Sequence, residues 1–554
     1  MRGFATFRTL PAWATGLIGV AVVIVLWWLG ATTIFRGIGT VPGGAIPTPG
    51  AVVAQLISDG WAFYLSHVSI TVGEASVGFL WGNAAALVLA GLVLVVPRIE
   101  KVALQIAVIT YCIPIVAIGP IAYIVIGAPR GGELSGTAIF LAAMSVFFTT
   151  VVGSLVGLKA ATPASLDLVS VYGGGRFMQL RKVRLMAGLP SVLSALQIAA
   201  PAALLGAILG EYLGGVDRGL GIAMLAAGSA ANVDRVWGLA LVAGLLAGLG
   251  YGLFGLISRL ATPWLTGRSL LMALETMSAA RPPSTAKVVR GLGAVVGRSA
   301  LTGLITLVIV LVAWQGLILL LGVSPFIAKG PLDVWNWLFT VPNAGVNRTT
   351  ILTNLTVTLG DAFLGFVAGL VVALVLAIAF TLSRGIESAL MPIALLLRSV
   401  PLVALVPVIS LITGRGPSLV VVMGAIVVLF PALVNIAFGL RSSSPQINDV
   451  IAVYGGNAFT ALRKVALPSS LPSFFAAVKI SIPGAITGAL LAEWLSTGQG
   501  LGHGIVIAVA QVKNYEVWAS VVAITLVSIV LYGVAQLVEN LVLRRMGMES
   551  STGA

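Results

Sequence analysis

Apolar residues along this chain gather into long blocks separated by short polar stretches. Blocks of about 20 apolar residues, enough for a helix to cross roughly 30 Å of hydrocarbon, begin near Gly16, Val68, Lys101, Gly136, Leu189 and Val236. The same spacing returns with blocks starting near Ser299, Leu355, Glu387, Pro417, Leu471 and Val517. The pattern predicts an all-α polytopic membrane protein with about twelve transmembrane helices. The first block follows Arg2 and Arg8 but is too long for a secretory signal and has no clear small-residue cleavage site, so it reads as an anchoring helix.

The two sets of six are copies of one another. Val171-Tyr172-Gly173-Gly174 matches Val453-Tyr454-Gly455-Gly456, and Leu180-Arg181-Lys182-Val183 matches Leu462-Arg463-Lys464-Val465, both 282 residues later. The register continues through Pro201 with Pro483 to Glu211 with Glu493. Upstream, Thr71-Val72-Gly73-Glu74-Ala75 answers Thr358-Leu359-Gly360-Asp361-Ala362 at an offset of 287. An even number of spans per copy sends both copies into the membrane in the same direction, so the repeats are parallel and related by an axis along the membrane normal. The expected organisation is a first repeat over 1–266, a cytoplasmic linker over 267–298, a second repeat over 299–546 and a tail over 547–554. A pathway between the halves follows.

Composition agrees with this reading. Of 554 residues, 59% are hydrophobic and only 9% charged, against about 25% charged in a soluble domain, which excludes an ordinary soluble protein. The 66 glycines suit closely packed membrane helices. The single cysteine, Cys112, cannot form an internal disulfide, and with only His67 and His503 beside it a Cys/His zinc centre is not available. The net charge of +14 is topological: with a cytoplasmic N-terminus, 21 of the 31 Lys and Arg fall on the inner side, eight on the outer, and Arg398 and Lys479 within or near spans. Scattered cations of this kind call for no nucleic-acid partner. A multi-pass protein of the inner (plasma) membrane, with both termini cytoplasmic, is expected.

Candidate chemistry gathers in two polar loops, 163–186 and 445–468, between the fourth and fifth spans of each half. In the second loop Ser442-Ser443-Ser444-Pro445 gives a helix start, Asp449 to Tyr454 is helical, Gly455-Gly456 interrupts it, and a further helical piece from Ala458 to Leu467 is expected to stop at Pro468. Val450, Val453 and Tyr454 suit a groove on another protein, with Asp449, Arg463 and Lys464 fixing orientation. Asp167, Tyr172, Gly173, Arg181 and Lys182 repeat the arrangement in the first loop.

This loop resembles the signature loop of membrane permeases in ATP-binding-cassette (ABC) importers: Glu-Ala-Ala, three residues, Gly, nine residues, Ile, one residue, Leu-Pro. The second copy fits from Asp449 through Gly455 to Val465, Leu467 and Pro468; the first fits from Asp167 through Gly173 to Val183 and Leu185, with Met186 in the last position. Both carry Asp for Glu and lack the Ala-Ala pair. Leu397-Arg398-Ser399-Val400-Pro401-Leu402, Ala492-Glu493-Trp494-Leu495 with Gly500-Leu501-Gly502, and Ile46-Pro47-Thr48-Pro49 are similar to the nitrate, sulfonate and taurine branch. The resemblance implies a type I importer permease fold with two permease domains fused in tandem. It implies as partners two copies of a cytoplasmic ABC ATPase that bind ATP and Mg, an extracytoplasmic solute-binding protein, and membrane lipid. The solute it implies is a small anionic or polar organic molecule. The chain has no Gly-Lys pair and hence no phosphate-cradling loop, so it is expected to bind no cofactor or metal and to act as a permease, not an enzyme.

For the pathway itself the candidates are Arg398, the aligned Tyr111, Glu211, Glu493 and Lys479. Arg398 suits bidentate binding of a carboxylate, sulfonate or phosphate, or equally a salt bridge between helices. Glu211 and Glu493 either shape an outer gate or are solvated helix ends. Lys479 and its counterpart Gln197 are expected to reach the inner interface; Glu74 and Asp361 to cap or pair near the outer end of span two; His67 and His503 to be polar surface. Trp27, Trp28, Trp335 and Trp337 read as interface anchors or packing residues. A self-powered secondary carrier also has six plus six spans but would want buried carboxylates in mid-span, which are not evident, and a membrane-embedded enzyme would need a catalytic constellation that is not found.

Overall fold

The computed structural model describes residues 12–37, 44–264, 292–383, 385–387, 390, 406, 409, 410, 412–442 and 445–547. The first half runs α1 (Ala12–Thr32), α2 (Pro49–Val95), α3 (Glu100–Cys112), α4 (Ile115–Ile126), α5 (Gly136–Lys159), α6 (Pro163–Val171), α7 (Arg176–Leu213), α8 (Leu220–Ser229) and α9 (Val233–Ala261). The second runs α10 (Leu292–Leu320), α11 (Pro331–Phe339), α12 (Ala344–Leu382), α13 (Pro417–Arg441), α14 (Pro445–Val453), α15 (Ala458–Ala461), α16 (Leu471–Leu495), α17 (Gly500–Ala510) and α18 (Asn514–Arg545). Among the described residues nine helices are long and apolar enough to cross a membrane, or ten when one bent pair counts as a span. No strand occurs among them.

Local chemistry explains the helix starts. Thr48 caps α2 and is followed by Pro49; Thr162 caps α6 and is followed by Pro163; Ser135 caps α5. In each case a side-chain oxygen takes an N–H that the first turn leaves without an intrahelical partner, and proline stands where no N–H is needed. Gly60, at φ 77°, splits the 47-residue α2 into a leading segment and the span proper.

The third block departs from expectation. The straight span anticipated from Lys101 is two helices, α3 and α4, meeting at 90°. Ile113 lies before Pro114 and is extended, with φ −71° and ψ 114°, because a residue preceding proline is pushed out of the helical region. The corresponding block from Glu387 lies largely outside the described residues.

Spans pack through glycines at four-residue spacing. A Cβ on Gly78 would sit 2.6 Å from Ile139 O, and one on Gly365 2.8 Å from Gly424 Cα. Gly82, Gly369, Gly206 and Gly210 make similarly close backbone approaches. Backbone contact of this kind brings α2 and α7 onto α5, and α12 onto α13. Two ion pairs repeat as well: Lys159 to Glu100 at 2.5 Å and Arg441 to Glu387 at 2.6 Å. Each ties the end of the fourth span to the start of the third, beside the loop that follows.

Candidate functional site

Each half offers one exposed knuckle, formed by α6 and α14 with the turns that follow. Gly173 and Gly455 take φ 76° and 75°, a left-handed conformation that ends a helix and disfavours side chains. The next glycine closes the turn: Gly174 N–H donates to Val169 O and Gly456 N–H to Ile451 O, both at 2.8 Å. A Cβ at Gly174 would lie 2.9 Å from Val169 O, and one at Gly456 3.0 Å from Ile451 O. The Gly-Gly pair is thus two requirements in sequence, one for backbone angle and one for close approach.

The side chains so displayed are apolar and free. Tyr172 and Tyr454 are 83% and 86% exposed, and Val171 and Val453 82% and 84%. Leu168, Phe177, Val450 and Phe459 add to the same surfaces. Asp167, Arg181 and Lys182, with Asp449, Arg463 and Lys464, are exposed around them. The stop expected at Pro468 is not seen. The chain continues through a wide π turn at Leu462–Ala466, and Leu180–Arg184 makes the same turn with Met186 in the place of proline. The π turn therefore belongs to the repeated Leu-Arg-Lys-Val stretch and not to proline.

Between the halves runs a seam where α3 and α4 meet α16, α17 and α18. Pro483, inside α16, has no N–H to give to Lys479 O, so that turn lacks one helical hydrogen bond. Across the seam the Tyr111 hydroxyl donates to the adjacent Ile480 O at 2.7 Å. Tyr111 also stacks on Phe148, with ring centroids 4.4 Å apart. Lys479 does not reach the inner interface as expected: it is buried and paired with buried Glu539 of α18. Its counterpart Gln197 packs against Gly255 of α9. Arg398 lies outside the described residues. Nearer the far end, Tyr212 meets Trp494 edge to face at 6.2 Å. Beside them is a narrow crevice with uncharged walls, including Val116, Pro120, Leu213, Leu490 and Ile505.

At the end away from the knuckles each half carries a clasp. Thr71 Oγ donates to Glu211 Oε1 at 2.5 Å and accepts from Leu220 N–H at 2.8 Å, while Gly221 N–H donates to Glu211 Oε2 at 2.5 Å. In the second half Thr358 donates to Glu493 Oε2 at 2.9 Å and accepts from Leu501 N–H at 2.9 Å, and Gly502 N–H donates to the same Oε2 at 2.8 Å. Side chains at Gly219 or Gly500 would collide with these carboxyls. The clasps fasten the short helices α8 and α17 to the spans.

Several expectations are corrected here. Glu211 and Glu493 are wholly buried, so neither is a solvated helix end. His67 is half-buried instead of plain surface, its Nδ1 accepting from Gly219 N–H at 3.1 Å. Buried carboxylates, not evident in the sequence, include Glu74, Glu211, Glu493 and Glu539. Glu74 does cap a neighbour: its Oε1 accepts from Ser135 N–H at the head of α5, at 2.7 Å.

Sequence reasoning missed a pair of indole stacks. Trp27 stacks on Trp237 at 5.5 Å and Trp314 on Trp518 at 5.6 Å. Trp237 and Trp518 donate to Ala45 O and Ile327 O, at 3.3 and 3.1 Å, which pins the segment before each second span. The 281-residue offset between Trp237 and Trp518 was the available signal.

Comparison with known proteins agrees with this geometry. The family model described as the binding-protein-dependent transport system inner membrane component matches twice, over residues 82–269 and 365–548. A probable ABC transporter permease protein of Haemophilus influenzae is 30% identical over 225 residues, 40% of this chain and 89% of its own length. The riboflavin transport system permease protein RibX of Chloroflexus aurantiacus is 30% identical over 240 residues, 43% and 88% of the two chains. A putative aliphatic sulfonates transport permease protein, SsuC, of Bacillus subtilis is 24% identical over 260 residues, 46% and 90%. With nearly a whole relative fitting into less than half of it, and the family domain present twice, the chain belongs to the binding-protein-dependent transport permeases and carries their membrane domain in tandem.

Proposed function

We propose that this chain is the complete transmembrane part of an ATP-driven importer for a small solute, with the pathway along the seam between its halves. The observation that carries this reading is the matched pair of free apolar knuckles, each held by a Gly-Gly turn. Each knuckle docks on one of two cytoplasmic ATPase subunits, which bind ATP and Mg, and their closure rotates the halves against each other to alternate access. The knuckles, and both termini, face the cytoplasm in accord with the distribution of Lys and Arg. A solute-binding protein delivers from the opposite side, and lipid surrounds the outward-facing Leu, Val and Ile residues. The solute is small and polar or anionic, as in relatives whose names specify riboflavin, sulfonates and nitrate.

Co-purification of the tagged chain with its ATPase tests this. Tyr172→Ala together with Tyr454→Ala should leave the membrane chain folded and lower ATPase recovery at least tenfold. Undiminished recovery, or uphill transport by the chain alone in vesicles, overturns the reading.

A further inference from the structure

We propose that Tyr212 and Trp494 are the two leaves of a seal across the pathway near its outer end, shut in this structure and parted when solute passes; this rests on the reading of the seam as the route between the halves. The two residues are copies of one another, each standing next after its clasp glutamate at the repeat offset of 282. They also touch, with ring centroids 6.2 Å apart and planes at 68°. When two copies are related by a half-turn, a residue that meets its own counterpart does so on the axis. Both halves enter the membrane in the same direction, so that axis runs along the membrane normal. The ring pair therefore lies on the line between the halves that a solute follows.

The surroundings suit a seal. Tyr212 is 7% exposed, and among the described residues the crevice beside the rings is lined by Val116 and Pro120 of α4, Leu213, Leu490 and Ile505 of α17, with no charged side chain. A constriction of apolar groups sheds water and so stops polar solutes. This one holds by ring contact and buried area, with no ion pair between the leaves to break. Each leaf is also tied to the outer surface through its neighbour. Glu211 is bonded to α8 through Gly221 N–H, and Glu493 to α17 through Gly502 N–H; Gly502 lines the crevice as well. A shift of α8 or α17 at the outer face thus reaches the ring one residue away. From the other side, α7 runs from the first knuckle to Tyr212 as one helix, Arg176–Leu213, so rotation of that half moves the same ring.

Thiol labelling of the full-length chain in right-side-out and everted membrane vesicles tests this. The probe is a charged, membrane-impermeant methanethiosulfonate, and the reporter is Val116→Cys in a Cys112→Ala background, at a crevice position that is buried. With the rings intact the reporter should react slowly from the outer face. Tyr212→Ala with Trp494→Ala should raise that rate about tenfold or more and leave the rate in everted vesicles unchanged. The exchanged pair, Tyr212→Trp with Trp494→Tyr, should restore the slow rate, which a general loosening of the fold would not allow. Should the Ala pair fail to give a monodisperse product, Trp494→Leu alone takes its place with the same expectation. An outer rate that does not rise, a rise equal on both faces, or fast reaction in the exchanged pair overturns the proposal. ATPase recovery by the Ala pair should match the wild type, because the knuckles are untouched. A wild type that recovers no ATPase while the labelling behaves as described overturns the importer reading and leaves the seal standing.

Discussion

Thr71, Thr358, Lys479 and Gly456 show how much single side chains carry where water is absent. Each clasp threonine both accepts from a backbone N–H and donates to a buried glutamate. Leaving a buried polar group without its hydrogen-bond partner costs about 1–3 kcal/mol, so Thr358→Val should destabilise the protein by about that much, read by thermal unfolding in nanodiscs. Lys479→Met takes the paired cation away from buried Glu539 and should cost about 3–5 kcal/mol. The double variant Lys479→Gln, Glu539→Ser copies the first-half residues Gln197 and Ser258 and should recover most of that loss. At Gly456 a valine would press on Ile451 and reopen the knuckle turn. Gly456→Val should therefore uncouple ATP hydrolysis from transport while the spans remain folded, as judged by stimulated ATPase against solute uptake.

At the scale of elements, the helices that hydropathy locates best are those whose apolar block begins at a clear start signal, the Ser135 cap before α5 or proline in the first turn of α13. Pro417 was expected to open a span and opens α13; Gly136 opens α5. The knuckles were also legible, because Val-Tyr-Gly-Gly recurs in a polar setting and needs no partner to define it. The corner at Pro114 was not, since a block of apolar residues looks the same whether straight or bent by 90°. Lys479 and Glu539 were opaque for a different reason: 60 residues separate them, and only α16 packing on α18 brings them together. Glycine spacing gives an element-level prediction. Gly82→Leu should separate α2 from α5 and abolish a monodisperse product in size-exclusion chromatography, because its Cβ would lie 2.8 Å from Ala143 Cα. Gly248→Leu, with nothing within 4 Å of its Cβ, should be tolerated.

For the molecule as a whole, orientation is the property on which the proposed mechanism turns. Single cysteines at Tyr172→Cys or Tyr454→Cys, in a Cys112→Ala background, should react with a membrane-impermeant thiol reagent only when the cytoplasmic face is open to it. Both positions are exposed, whereas Cys112 is buried. The two halves of the molecule are alike at the knuckles, the ion pairs and the indole stacks, and unlike at Gln197 and Lys479. Were the complex built from two identical chains, any replacement would appear at both related positions, so a lone charge could never be set against a lone amide. Joining the copies in one polypeptide gives every site its own address. One wall of the route can then change character while the other keeps its ancestral form, and the ratio of the two walls is set at one to one by the ribosome instead of by assembly.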